Sequence, residues 1–188
     1  STGTKGGLMA GLGRMLAGES LFLTTYTCAR GQGTVVFTPS APGKAVAMSL
    51  TAGQSLICQK GAFLAAESTV KLETAFQKRL GAGLFGGEGF ILQKVSGPGT
   101  IWLEIPGEVR EYSLAPGETL KVDPGYVAFF EPTVSYDIVM VKGVRNLLFG
   151  GEGLFLAALR GPGRVWLQTM PLTALAASLM PLLPFKKG

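Results

Sequence analysis

Leu84-Phe85-Gly86-Gly87-Glu88-Gly89-Phe90 returns 64 residues later as Leu148-Phe149-Gly150-Gly151-Glu152-Gly153-Leu154. Downstream of each copy, Gly97-Pro98-Gly99-Thr100-Ile101-Trp102-Leu103 recurs as Gly161-Pro162-Gly163-Arg164-Val165-Trp166-Leu167. A fixed period of this length marks duplication of one supersecondary unit, so the repeat speaks to architecture before chemistry. Working backwards, Leu16-Ala17-Gly18-Glu19-Ser20-Leu21-Phe22 and Gly31-Gln32-Gly33-Thr34-Val35-Val36 form a third, more diverged copy. Between the copies a second half also recurs, Ser49-Leu50-Thr51-Ala52-Gly53-Gln54-Ser55-Leu56 matching Ser113-Leu114-Ala115-Pro116-Gly117-Glu118-Thr119-Leu120. Three copies of one half thus alternate with two of the other. A repeat that buries its faces by stacking does not begin mid-unit, so the alternation predicts a missing N-terminal half-unit of roughly 45–60 residues before Ser1.

Each half reads as short strands. Residues 88–95 and 100–105 flank the turn Ser96-Gly97-Pro98-Gly99, a hairpin connection. Tyr112-Ser113-Leu114 runs into Pro116-Gly117, Thr119 to Val122 follows, and Asp123-Pro124-Gly125 turns into Tyr126 to Phe130. Residues 71–84 and 135–148 read as helical or irregular segments, or as strand followed by loop. Strands every eight to twelve residues predict an all-β fold of sandwich or barrel type. The expected organisation is a single β domain over 1–188, with a partial unit at 1–43, units at 44–107 and 108–168, and a helix and tail at 169–188. In that tail, Leu172, Leu175, Ala176 and Leu179 follow Pro171 at helical spacing, and Pro181 and Pro184 stop the run. So short a helix needs something to pack against. Docking on the β-body or in a subunit interface is favoured over the lipid-surface anchor that Lys186-Lys187 would also suit.

Composition supplies a core and withholds most chemistry. The chain is 47% hydrophobic and 15% charged, which excludes disorder. Its 28 glycines are spread through turns. A net charge of +5 points to an anionic partner, nucleic acid or lipid. The 17 basic residues are nevertheless scattered, with the densest groups at Lys78-Arg79 and Lys186-Lys187, so a solvated surface is the favoured reading. Cys28 and Cys58 lie in apolar alternation, suit small buried hydrophobes, and allow at most one disulfide; that usage fits a reducing compartment. There is no histidine, and Asp123 and Asp137 are the two aspartates, so no ordinary zinc site can be assembled. No secretory signal or spanning helix is read in the sequence.

Each motif admits a chemical and a structural reading. Gly86-Gly87 and Gly150-Gly151 lack the P-loop lysine and its strand-to-helix setting, which favours a bend where backbones approach. Glu19, Glu88 and Glu152 repeat; three carboxylates converging on an axis could hold a hard cation, but no other ligand recurs beside them, and local backbone bonding is favoured. Trp102 and Trp166 occupy equivalent strand positions and suit core or interface pockets better than base stacking. No acid–base pair or nucleophile–base couple stands out, so neither catalytic residues nor a cofactor are expected.

Taken together, Ala17-Gly18-Glu19-Ser20-Leu21-Phe22, Phe85-Gly86-Gly87-Glu88-Gly89-Phe90 and Gly97-Pro98-Gly99-Thr100-Ile101-Trp102 resemble the mitochondrial biogenesis proteins of the altered-inheritance-of-mitochondria type and their bacterial homologues. The resemblance spans essentially the whole chain. It implies three β-units in pseudo-threefold arrangement, each similar to the tryptophan RNA-binding attenuation protein, a relative of the double-stranded β-helix. It carries over no catalytic residue, and tryptophan or RNA binding does not transfer with a fold alone. The expectation is a non-enzymatic scaffold or assembly protein that self-associates, with a membrane or protein partner met through Leu172, Leu175 and Leu179. A nucleic-acid-binding module is the alternative. The expected location is the bacterial cytoplasm, with a mitochondrial one left open by the stretch before Ser1.

Overall fold

A computed structural model describes residues 2–3, 23–78, 90–140 and 155–184. Its regular elements are almost all strands: β1 (Thr2–Gly3), β2 (Leu23–Thr24), β3 (Gly43–Leu50), β4 (Ser55–Gln59), β5 (Phe63–Ala66), β6 (Lys71–Lys78), β7 (Phe90–Ser96), β8 (Gly99–Pro106), β9 (Val109–Leu114), β10 (Thr119–Val122), β11 (Val127–Phe130), β12 (Ser135–Met140), β13 (Phe155–Arg160) and β14 (Gly163–Gln168). One short helix, α1 (Leu172–Leu179), follows them. The fold is all-β, as the strand spacing predicts.

The strands obey the 64-residue offset in detail. Single 3-10 turns at Lys60–Ala62 and Pro124–Tyr126 follow β4 and β10. Gly97-Pro98 and Gly161-Pro162 are both cis. Glu67 Oε2 accepts the Thr100 backbone N–H at 2.7 Å, and Glu131 Oε2 accepts that of Arg164 at 2.9 Å. Gly99 and Gly163 hold φ of 135° and 140°, and a Cβ at either would press on the hydroxyl of Thr69 or Thr133. Only glycine tolerates both constraints there.

Each copy divides its six strands between two three-stranded antiparallel sheets. In the first copy these are β3-β8-β5 and β6-β7-β4; in the second they are β11-β14-β9 and β10-β13-β12. The copies join where β4 pairs with β11, Cys58 opposite Phe129 and Ile57 opposite Phe130, which fuses two of these sheets into one of six strands, β6-β7-β4-β11-β14-β9. The remaining sheets have three strands each, and β1 pairs separately with β2.

Alternation along the central sheet feeds two cores. Cys58, Phe129 and Trp166 pack with Ile101, Leu103 and Ile105 in one. Their strand neighbours Phe130 and Val165, on the opposite face, pack with Ile138, Ala157 and Leu159 in the other, and Ile57 packs against that core. With both faces covered, β11 is buried at all four positions, the pattern expected of a wall between two cores.

The third, diverged copy differs from expectation. Residues 25–42 run as coil and bends instead of a Gly-turn hairpin.

Candidate interaction surfaces

The two tryptophans sit at one repeat position in different surroundings. Trp166 is 6% exposed. It stacks on Phe129 at 4.6 Å between centroids and donates its indole N–H to Glu111 Oε2 at 2.8 Å. The Arg164 guanidinium lies over its ring at 5.0 Å, an attractive cation–π arrangement. Trp102 is half-buried. Ala47 faces it across the β3–β8 ladder, whereas Glu111 faces Trp166 across β14–β9. Its ring lines a groove.

That groove has a volume of about 460 Å³ and lies between β5 and the coil after β2. Phe63, Ala65, Leu72 and Trp102 form one wall, and Leu23, Tyr26, Val35 and Phe37 the other. Tyr26 and Phe37 meet edge to face at 5.7 Å, yet both remain exposed.

A second apolar surface lies at the C-terminus. No residue of α1 is buried, and Leu175 is half-buried. Leu172, Leu179, Met180, Leu182 and Leu183 are exposed, Leu182 by 77%. Of the two expected settings, docking on the β-body or in a subunit interface, the first is not seen among the described residues. Pro171 caps the helix from outside its first turn, and the chain is tethered just before, where the Thr169 hydroxyl accepts the Glu108 N–H at 2.8 Å. No helix among the described residues is long and apolar enough to cross a membrane.

Reactive groups are few. Both cysteines are free; Cys58 is buried, while Cys28 is exposed and turned toward the Arg30 carbonyl. Burial pushes the Cys58 thiol up to about 12, which holds it neutral and unreactive. Burial, then the charges of Asp137 and Asp123, raise the Tyr136 phenol above its ordinary range. Lys44 is paired with Glu108, and Arg164 with Glu131 at 2.7 Å. Among the described residues no group of three His, Cys, Asp or Glu side chains could hold a metal ion. Gly86, Gly87, Gly150 and Gly151, with Glu19, Glu88 and Glu152, lie outside the described residues.

Comparison with known proteins matches residues 1–170 to the family model described as "Mitochondrial biogenesis AIM24". An uncharacterized protein of Streptococcus pyogenes serotype M6 is 31% identical over 181 residues, covering 95% of this chain and 71% of its own length. The crystal structure of another Streptococcus pyogenes protein is similar with a TM-score of 0.70 at 25% identity, over 97% of this chain and 82% of that one. Both relatives are bacterial, which sets a bacterial and non-mitochondrial context consistent with the cytoplasmic expectation.

Proposed function

The chain belongs to the mitochondrial biogenesis AIM24 family, and within it we propose that this protein is a non-enzymatic assembly scaffold that self-associates and offers its C-terminal helix to a partner. One observation carries the proposal: α1 and the turn after it leave five large apolar side chains in solvent and bury none. Contiguous exposed apolar surface of this kind is characteristic of interaction sites. The absence of histidine and the neutral Cys58 thiol support a role other than catalysis. A pseudo-threefold arrangement of attenuation-protein-like units belongs to the same proposal, supported by the cis Gly-Pro turns and the Glu–backbone bonds that two copies share at the 64-residue offset. The nucleic-acid reading rests on the net charge of +5 alone, and two of the basic residues, Lys44 and Arg164, are paired with carboxylates.

Sedimentation of the intact chain, together with pull-down and vesicle flotation of wild type and Leu172→Ser/Leu179→Ser, tests the proposal. Concentration-dependent association, with partner or vesicle retention lost in the double variant, is the expected result. A strict monomer that retains neither protein nor vesicle at any concentration would overturn it.

A further inference from the structure

We infer that α1 and the turn after it settle into the headgroup boundary of an anionic lipid surface, so that the partner met by the C-terminal segment is lipid. The inference rests on the reading of that segment as an interaction surface and names its chemistry. The family model stops at residue 170, so this surface lies outside the part of the chain that defines the family.

Three observations carry it. No residue of α1 is buried, and Leu172, Leu179, Met180, Leu182 and Leu183 stand in solvent. The helix also has no charged side. Leu172, Leu175 and Leu179 share one stripe, and the rest of its circumference is three alanines with Thr173 and Ser178. Ser178 donates its hydroxyl to the Leu175 carbonyl at 2.8 Å, which satisfies it without water. A helix seated in a protein groove covers one stripe and keeps a charged face in water, whereas one without charge on any side suits an apolar medium that surrounds it. The third observation is the distribution of charge. Residues 153–188 contain no acidic side chain, residues 165–185 contain no charge at all, and Pro184-Phe185 lead directly into Lys186-Lys187. Glu108, bonded to Thr169 just before the helix, is neutralised by Lys44. Apolar surface next to cations finds its complement in acyl chains beneath anionic headgroups.

Length sets the depth. The eight residues of α1 rise about 12 Å, far short of the roughly 30 Å hydrocarbon core, and Pro181 and Pro184 prevent the helix from lengthening into a span. The segment therefore lies in the boundary and does not cross. One short anchor binds weakly and reversibly; a self-associated form that presents several gains retention by avidity.

Flotation of the intact chain with vesicles of phosphatidylcholine alone, and of phosphatidylcholine and phosphatidylglycerol in equal parts, tests the inference. The wild type should be retained on the mixed vesicles, much less on phosphatidylcholine, and progressively less as salt is raised. Lys186→Gln/Lys187→Gln should weaken binding to the mixed vesicles about 25-fold, roughly a factor of five for each lysine, and Leu179→Ser/Leu182→Ser should abolish it. A fluorophore on Leu182→Cys in a Cys28→Ser background should shift to shorter wavelength on the mixed vesicles only. Thermal unfolding checks that every variant is folded. Equal retention on the two vesicle types, or retention that survives in the leucine variant, overturns the inference. So does a wild type that binds neither vesicle. If that protein still self-associates or holds a protein partner, and loses it in Leu172→Ser/Leu179→Ser, the scaffold reading stands without lipid. If it does neither, both readings fall.

Discussion

Glu131 holds Arg164 by two routes: one carboxylate oxygen accepts its backbone N–H at 2.9 Å, and the other accepts its guanidinium Nε–H at 2.9 Å. The same guanidinium covers Trp166. Glu67 makes only the first of these bonds, because Thr100 stands at the equivalent position. The two routes differ in weight. The backbone bond fixes the start of β14, while the exposed ion pair is screened by water. Glu131→Ala is expected to cost about 1–2 kcal/mol, and Arg164→Ala less than about 1 kcal/mol. Equal losses in urea unfolding would show that the side-chain pair, not the backbone bond, dominates.

Trp166 and Trp102 should separate cleanly. Trp166→Ala removes a stacked, hydrogen-bonded ring from a core and is expected to cost about 3–5 kcal/mol. Trp102→Ala removes a groove-lining ring and should cost roughly 1 kcal/mol, in line with partial burial. Emission of the single-tryptophan proteins offers a second check: Trp166 alone should emit at shorter wavelength than Trp102 alone.

Alkaline stability has two identifiable sources. The Cys58 thiol is raised from 9.0 to about 12 by burial, and the Tyr136 phenol is raised from 10.0. A folded-state pKa above the unfolded value means that the unfolded chain ionises first. The contribution of Cys58 is therefore complete below pH 9 and is lost as pH rises from there toward about 12. The melting temperature of the wild type should fall between pH 9 and 11, less steeply in Cys58→Ala, and least in Cys58→Ala/Tyr136→Phe. Identical slopes in all three proteins would assign the loss to other groups. Tyr136→Phe should itself be nearly neutral at pH 7, because the buried phenol oxygen has no hydrogen-bond partner among the described residues.

Two glycines with positive φ differ in what surrounds them. Gly117, at φ 81°, has open space where a Cβ would go. Gly163, at φ 140°, would put one 2.5 Å from the Thr133 hydroxyl and 2.8 Å from Val134. Gly117→Ala is expected to cost about 1 kcal/mol from backbone strain alone. Gly163→Ala should exceed that by a further ~2 kcal/mol from overpacking. Comparable midpoints in denaturant for both variants would contradict this.

Truncation after Pro171 removes α1 and the turn beyond it. Since no residue of α1 is buried, the β-body should keep its melting temperature to within about 3 °C. A larger fall would mean that the helix braces the strands it follows.

The repeat made much of this fold legible. Offset alone locates β8 from β14, and the Pro-Gly and Gly-Pro-Gly turns mark strand ends because proline and glycine restrict what the backbone can do there. The β4–β11 joint was not legible: periodicity says which residues are equivalent but not which edge of one copy meets which edge of the next. The coil at 25–42 was misread for a related reason. Its sequence matches a strand-forming segment, but a strand needs neighbours, and a motif match does not supply them. Sequence named Leu172, Leu175 and Leu179 as a contact surface, but it could not show that the β-body leaves them uncovered. The groove was invisible to it, because its lining joins residues 23–37 to β5 and Trp102, which are distant in sequence.

The strand pairing at Cys58 and Phe129 bears on how the molecule comes apart. Repeats strung on a linker can melt one at a time, each with its own transition. Here Phe129 belongs to the second copy by sequence and to the first copy's core by packing, while Phe90 and Leu92 are lent in the opposite direction. Neither copy owns a complete interior. Unfolding one strips buried apolar surface from the other, so the duplication has become a single cooperative block, and half of it expressed alone would be a fragment and not a smaller protein.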